Sequence, residues 1–595
     1  MEHDRFSWKS RFLFTATRLA GWGYYLVRVG ARFLLGRRPV GVRRILVARR
    51  SRLGDLIVFL PTLAALRARY PHAYIVLGVQ QGMSAGALLA GSRDIDELRV
   101  LDFLERPSAL GRLAGALSLF AEGFDLILTG ARYFLLHEVF FSGAPHRLSL
   151  DSGAALQVVK TRIFPVDPSR HEAENNLRLV EELGAQIAEP ERAPVVRVED
   201  PAAAEEMESM LRRLGVPEEA SLIAVHPGAQ KPSRRWPAER FAELAARLLD
   251  ERPGLWIIFT GVPGEARLVD SVRAAMPAAL RERAPSSLGL TTLPAMIALL
   301  DRSAAFVCND TGVMHLARAR GTPLVVLLGP ENDLRWGPHP LGSAPAIALR
   351  YPVPCSPCDR WDCPVLYCLR SLGVEQAVAA VGRLLEMPRR VAGGEPAPSL
   401  VRQITPRTWR ALEEAGFELP LVSVVLLPDA FGESRNGASA AAGNSGTALA
   451  TVERQEYPRL EVIRVEVEAN ARAEGASTVS GIPVRVVRAP SADAAAAWRA
   501  VLDAARGEVI APLLPGADWP PEKLSADVAT LVRHPELPQT DGGSSPLDAA
   551  YRRTVLESLL ASSRNGASAR SARSGMAGWL RRRVVASSPP VASES

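Results

Sequence analysis

Short apolar runs alternate along most of this chain with longer stretches whose hydrophobic residues return at helical spacing. Arg44-Ile45-Leu46-Val47-Ala48 reads as a buried strand, and a turn at Ser51-Arg52-Leu53-Gly54-Asp55 follows it. Leu56 to Tyr70 carries apolar residues at a 3.6-residue period and stops at Pro71, which predicts one helix. Ala73-Tyr74-Ile75-Val76-Leu77 and Phe124-Asp125-Leu126-Ile127-Leu128-Thr129 predict further strands of the same sheet. Alternation of this kind gives an α/β fold with a parallel sheet covered by helices.

The helical segment Glu172 to Leu183 and the Pro-bearing stretch 190–201 read as the exit from this first domain. The alternation restarts at Leu222-Ile223-Ala224-Val225 and continues through 255–260, Ala305-Phe306-Val307-Cys308 and 324–328. Two Rossmann-like domains are therefore expected, with ligands at the carboxyl ends of their strands. A third α/β segment runs from Pro420 to about Leu560, interrupted by a Gly/Ala/Ser/Asn stretch at 432–446 that reads as a loop. The domains expected are thus a segment at 1–40, Rossmann-like domains at 41–190 and 215–390, an α/β domain at 418–560 and a disordered tail at 561–595.

Composition narrows the class. With 595 residues, 47% hydrophobic and 23% charged, the chain exceeds one core and is that of a folded protein. Its net charge of +7 is modest, but Arg and Lys crowd the first fifty and last thirty residues. That placement suits an anionic membrane surface or acidic substrate better than sequence-specific nucleic-acid binding. Four of the five cysteines lie between Cys355 and Cys368, which suits a reducing cytoplasm rather than a secreted disulfide scaffold. Glu2 and Asp4 open the chain and no small-residue cleavage site follows, so a signal peptide is not expected.

Residues 8–36 interleave Trp, Phe and Leu with Arg11, Arg18, Arg28 and Arg32. The longest uncharged run there without polar breaks, Leu19 to Val27, falls short of the ~20 residues that span a bilayer. The pattern predicts a helix lying in the membrane interface; packing on the protein itself is the other reading.

Three constellations carry candidate chemistry. Gly54-Asp55 at the first strand-to-helix turn lets backbone pass close to a ligand, and Asp55 there either caps the helix or faces that ligand. His226-Pro227-Gly228-Ala229-Gln230-Lys231-Pro232-Ser233-Arg234-Arg235-Trp236 places three cations in a loop after a strand, as a diphosphate site or as a solvated basic loop. Asn309-Asp310-Thr311-Gly312-Val313-Met314-His315 runs from a strand into a helix. Its N–H groups and the Thr311 hydroxyl suit an anion, while His315 serves as a ligand or as packing.

Taken in order and spacing over residues 43–388, these motifs resemble glycosyltransferase family 9, the bacterial ADP-heptose:lipopolysaccharide heptosyltransferases. The residues that carry the likeness are the SxLGD turn with Pro61, HPGA, RWP with Phe241, NDTGVMHLA, GTP and Leu328-Gly329-Pro330. The resemblance implies a GT-B architecture and inverting transfer of heptose from ADP-heptose to a lipopolysaccharide core acceptor. It makes Asp55 the catalytic base and Arg234 the phosphate clamp, with Lys231 and Arg235 beside it, and gives Asp310, Thr311, Gly312 and His315 the donor nucleotide sugar. Two departures stand out: Arg234 replaces a common Lys, and Ala229 and Gln230 occupy positions where some members carry hydroxyls. No metal or other cofactor is expected for transfer. The implied partners are a nucleotide sugar and a lipid-linked saccharide at the cytoplasmic face of the inner membrane, without nucleic acid. The same fold with another nucleotide sugar, or a non-catalytic membrane-attached scaffold, are the competing readings.

Cys355, Cys358, Cys363 and Cys368, spaced C-x2-C-x4-C-x4-C, are candidates for a structural zinc or iron–sulfur site. The third segment resembles the opening of a family 2 GT-A glycosyltransferase, through Pro420 to Leu427, Gln455 to Ile463, Ala505 to Ala511 and Trp519 to Leu524. Where that family holds its metal with Asp-x-Asp-Asp, this chain has Leu514-Pro515-Gly516-Ala517, and Glu466-Val467 replaces its nucleotide-side Asp pair. A degenerate, non-catalytic domain is the expectation.

Overall fold

The computed structural model describes residues 41–49, 52–79, 85–101, 108–129, 144–151, 162–358, 360–387, 396–427, 445–467, 477–489, 494–513, 519–534, 537, 540, 550–554 and 556–557. The expected interfacial segment 1–40, the tail 561–595 and Leu514–Ala517 lie outside these residues. Two compact units emerge: Met1–Arg350 with Leu372–Ile404, and Tyr351–Ser371 with Thr405–Ser595. No helix among the described residues is long and apolar enough to cross a membrane.

The first unit holds two six-stranded sheets. The amino-terminal one contains β1 (Arg44–Arg49), β2 (Tyr74–Val79), β3 (Glu97–Val100), β4 (Leu126–Thr129), β5 (His146–Asp151) and β6 (Arg162–Pro165) in the order β3-β2-β1-β4-β5-β6. Every pairing is parallel, so this is the doubly wound order with its switch point between β1 and β4. β1 alternates its side chains between two cores. Ile45 and Val47 pack on one face with Leu56, Ile57 and Leu63, while Leu46 and Ala48 pack on the other with Phe124 and Ile127.

The second sheet contains β7 (Ser221–His226), β8 (Leu255–Phe259), β9 (Ala305–Asn309), β10 (Leu324–Leu328), β11 (Ala346–Arg350) and β12 (Leu400–Ile404). Its order is β12-β11-β10-β9-β7-β8, again wholly parallel, with the switch point between β7 and β9. The two Rossmann-like sheets expected from the alternation are therefore both present.

Three local expectations change. The helix expected over Leu56 to Tyr70 is two, Leu53–Ile57 and Leu60–Arg69, because Pro61 lacks an N–H and fits only the first turn of a new helix. The stretch 190–201 ends in a further helix, Pro201–Arg213, whose start Asp200 caps by accepting from Ala202 N–H at 3.0 Å. Of the loop expected at 432–446, Ser445 and Gly446 instead open the helix Ser445–Glu453, and the rest lies outside the described residues.

The second unit is built on β13 (Val422–Leu426), β14 (Leu460–Val467), β15 (Ser477–Val479), β16 (Ile482–Ala489), β17 (Val509–Leu513) and β18 (Tyr551–Arg552), ordered β15-β16-β14-β13-β17-β18. The four central strands run parallel and the two edge strands antiparallel. Buried Glu461 ties its strand to a neighbouring turn by accepting from Ser423 Oγ at 2.5 Å and Arg506 N–H at 2.6 Å. Gly507 in that turn has no room for a side chain, since a Cβ would stand 2.6 Å from Ser423 N. Tyr367, Trp409 and Tyr457 stack edge to face in sequence, with ring centroids 5.9 and 5.5 Å apart.

The four clustered cysteines belong to this second unit and carry free thiols, Cys355 and Cys368 buried and the other two partly exposed. Burial, with neighbouring thiols adding to it, pushes Cys355 up to about 12 and raises Cys368 as well. Among the described residues no three His, Cys, Asp or Glu side chains converge closely enough to hold a metal ion.

Candidate active site

The loops that carry the sequence candidates leave the carboxyl ends of β1, β7, β9 and β10, where doubly wound sheets bind ligands. Asp55 lies in the first turn of the Leu53–Ile57 helix, half-buried. One of its carboxylate oxygens accepts from Arg52 N–H at 3.2 Å, so it does cap its own helix. Arg49 fixes the turn from below: its guanidinium donates to Asp55 O at 3.2 Å and to Asn176 Oδ1 at 3.3 Å, and lies 4.3 Å from the Phe59 ring centroid.

What brings Asp55 to the other candidates is a close approach of two glycines. A Cβ on Gly54 would stand 3.0 Å from Gly312 Cα and 3.0 Å from His315 Cδ2, and one on Gly312 would stand 3.2 Å from Gly54 N. The Leu53–Ile57 and Gly312–Arg320 helices, one from each sheet domain, thus meet through glycine backbone near their N-termini, and the Asp55 charge acts on His315. Burial dominates that ring and depresses its pKa to about 4, so His315 is neutral near pH 7.

Asn309 joins the two donor-side loops. Fully buried at the end of β9, it accepts from Trp236 N–H at 3.0 Å and donates to Pro227 O at 2.7 Å. Trp236 anchors the far end of the basic loop, its indole N–H donating to Leu372 O at 3.0 Å and its ring meeting Phe241 edge to face at 5.1 Å. Of the three cations, Arg235 turns back onto its own loop and donates to Ala229 O at 2.8 Å. Lys231 and Arg234 face across to Glu331, which follows the Gly329-Pro330 turn after β10. Lys231 Nζ donates to Glu331 Oε1 at 3.0 Å and Arg234 Nε donates to the same oxygen at 2.9 Å.

Asp310 is buried 3.5 Å from Arg234 Nη1. Burial raises its pKa to about 6 despite the opposing pull of Arg234, and Glu331 adds to the rise. Thr311 is the N-terminal residue of the Gly312–Arg320 helix and its hydroxyl makes no capping bond. The N–H groups of that helix start, which Thr311 does not cap, suit an anion.

Several members of the site carry no signal strong enough to single them out in the sequence. Glu331 and Glu265 are lone carboxylates outside any charge pattern; only their placement just after strand ends could have drawn attention. Glu265 accepts from Val262 N–H at 3.0 Å and packs against Gly228, where a Cβ would fall 2.0 Å from its carboxylate, so any larger residue at 228 would force the Glu265 side chain to move. His226 lies 3.7 Å from Glu265 and bonds Thr260 Oγ1 at 3.1 Å; burial lowers its pKa. His171 caps the Glu172–Glu181 helix by accepting from Ala173 N–H at 3.2 Å, which leaves its other nitrogen to donate to Gly337 O at 2.9 Å. That bond, with Arg335 to Glu172 at 2.8 Å and Asn332 to Pro168 O at 2.9 Å, ties the loop after β10 to the exit of the first sheet domain.

Known proteins resemble parts of this chain. The family model described as glycosyltransferase family 9 (heptosyltransferase) matches residues 118–367, which take in Lys231, Arg234, Asp310–His315, Cys355, Cys358 and Cys363, whereas Asp55 precedes the match and Cys368 follows it. Lipooligosaccharide heptosyltransferase 2 of Haemophilus influenzae is 32% identical over 144 residues, 24% of this chain and 41% of that protein. Lipopolysaccharide heptosyltransferase 2 of Escherichia coli is 26% identical over 298 residues, 49% of this chain and 83% of that protein. The chain therefore spans under half of the first relative and most of the second. Among solved structures, E. coli ADP-heptose LPS heptosyltransferase II superposes on 57% of this chain and 98% of its own with a TM-score of 0.46 and 22% identity. The family 9 glycosyltransferase of Veillonella parvula covers 58% of this chain and 97% of its own with a TM-score of 0.48 and 23% identity. Residues 118–367, under half of the chain, therefore form a glycosyltransferase family 9 region, and the enzyme class that goes with that region is glycosyltransferase.

Proposed function

We propose that the protein is an inverting transferase that moves heptose from ADP-heptose onto a lipopolysaccharide core acceptor. The observation that carries this reading is the approach of Gly54 to Gly312, which puts the turn bearing Asp55 against the helix start that follows Asp310. The turn that bears one acid of one sheet domain then meets the helix N-terminus of the other, as transfer between two bound sugars requires.

In this reading an acceptor hydroxyl attacks the anomeric carbon of the donor while its proton passes to Asp55. The bond between that carbon and the diphosphate oxygen breaks on the opposite face, and ADP leaves. Lys231 and Arg234 receive the charge that develops on the leaving group, together with the N–H groups at Thr311–Val313. Asp310 holds Arg234 in place rather than touching the phosphates, since two anions would repel. Arg235, committed to Ala229 O, shapes the loop and leaves the phosphate to its neighbours. Charge stabilisation of this kind serves in place of a divalent metal.

The lipopolysaccharide heptosyltransferase relatives favour heptose and a lipid-linked acceptor, and the arginines among aromatics in residues 8–36 favour contact with the cytoplasmic face of the inner membrane. The second unit fits a degenerate GT-A-like domain without catalysis: Glu466, at the position of its nucleotide-side acids, is paired with Arg464 at 3.2 Å. Transfer and thermal-shift assays with a panel of nucleotide sugars test the proposal. ADP-heptose should raise the melting temperature most and be consumed with an acceptor. Preference for another nucleotide sugar would replace the donor, and binding without turnover would favour a scaffold.

A further inference from the structure

Lys231 and Arg234, the two cations that this reading gives to the donor diphosphate, both spend their heads on a single carboxylate oxygen of Glu331. The Glu331 side chain is only 12% exposed, and Lys231 and Arg234 are 14% and 22% exposed. The cluster is balanced, two cations against Asp310 and Glu331. A diphosphate brought to the same two heads would leave a surplus of negative charge in a largely dehydrated place, and would compete with Glu331 for the same donor N–H groups.

We propose that Glu331 is a displaceable stand-in for the donor phosphate. In the donor-free protein it holds Lys231 and Arg234 in a preformed clamp; on binding, a phosphate oxygen takes its place and the carboxylate swings out. The position of Glu331 gives that exchange a direction. It opens the loop whose Asn332, Arg335 and Gly337 bond Pro168, Glu172 and His171 at the exit of the first sheet domain. Release of the carboxylate therefore loosens or resets the segment that joins the two halves of the site. Because the carboxylate must be driven off, Glu331 also sets donor affinity below what the clamp alone would give.

The proposal rests on Lys231 and Arg234 being the diphosphate clamp, and the test separates the two. ADP is titrated calorimetrically into the full-length wild-type protein and into Glu331→Gln, Glu331→Asp and Arg234→Ala. Removing the competing charge should tighten ADP binding about tenfold or more in Glu331→Gln, the scale set by one hydrogen bond to a charged group. Glu331→Asp, with a shorter reach, should fall between, and it carries the test if the glutamine variant does not fold. Hydrogen exchange of residues 331–337 should rise on ADP binding in the wild type, and less in Glu331→Gln. Weaker or unchanged ADP binding in Glu331→Gln, with binding lost in Arg234→Ala, would make Glu331 a positioning residue and overturn the exchange. Undiminished binding in Arg234→Ala would overturn the clamp itself.

Discussion

Gly54 and Gly312 lie back to back across the two sheet domains, each in the space that a Cβ on the other would need. Neither is at a positive-φ turn, so conformational freedom does not account for them; closeness does. The Gly54 side of the contact also touches His315, whose ring is buried there. The contact sets how far the Asp55 turn stands from the helix start that follows Asp310.

Gly54→Ala and Gly312→Ala should each push the two helices apart by a few tenths of an ångström or more. Overpacking of this kind costs about 1–3 kcal/mol in stability, and displacing a reacting group by about 1 Å costs on the order of a hundredfold in rate. The expected outcome is a folded protein with a modestly lowered Tm, near-normal ADP binding and a kcat reduced far more than its stability. Steady-state transfer kinetics beside a melting curve check it; an alanine variant with wild-type kcat would show that the spacing does not matter.

Asp310 gives binding a proton signature. Its pKa stands at about 6 beside Arg234, and a diphosphate arriving next to Arg234 would raise it further. ADP binding at pH 6.5 should therefore take up protons, and the uptake should be reduced in Asp310→Asn. Titration calorimetry in two buffers of different ionisation heat reads this difference, and the proton equilibria of ADP itself cancel between the two proteins. Equal uptake by both proteins would remove Asp310 from the donor site.

Stability should depend on pH through the buried histidines. The folded pKa of His315 is depressed to about 4 and that of His171 also lies well below 6.5, both chiefly through burial. Depressed values mean that the unfolded chain binds protons first. The stability these rings confer is present above pH 6.5 and is lost as pH falls from there towards 4, by up to about 3 kcal/mol for His315. Asp310, with its raised value, acts in the opposite sense, gaining stability below about 6. Wild type and His315→Asn compared by thermal melts at pH 7 and pH 5 isolate the histidine: the wild type should lose more. Parallel losses would show that His315 does not titrate on unfolding.

Much of the fold was legible because it is local. Apolar runs such as Leu324–Leu328 set the parallel strands, and Gly and Pro punctuate them. Pro61 misled the helix reading only because a proline two residues into a new helix leaves the apolar period unbroken. At the site, what could be read were residues grouped in sequence: Lys231 with Arg234, and Asp310 through His315. Illegible were the partners supplied from a distance. Glu331 reaches Lys231 across 100 positions, and Asn176 holds Arg49 across 127, and neither separation leaves any trace in spacing. Arg235 shows the converse: a cation in the right run whose side chain goes to its own loop at Ala229. The division at Arg350–Tyr351, which sends the cysteine segment to the second unit, also follows from packing that no local pattern announces.

In the proposed reaction Asp55 takes the acceptor proton while Lys231, Arg234 and the Gly312 helix start hold the donor. Asp55→Asn keeps the shape of the side chain and its bond to Arg52 while removing the base. The decisive measurement pairs initial-rate transfer from ADP-heptose with ADP titration on this one variant. Turnover should fall to background, with the Kd for ADP and the Tm close to wild type. Transfer at the wild-type rate would contradict it.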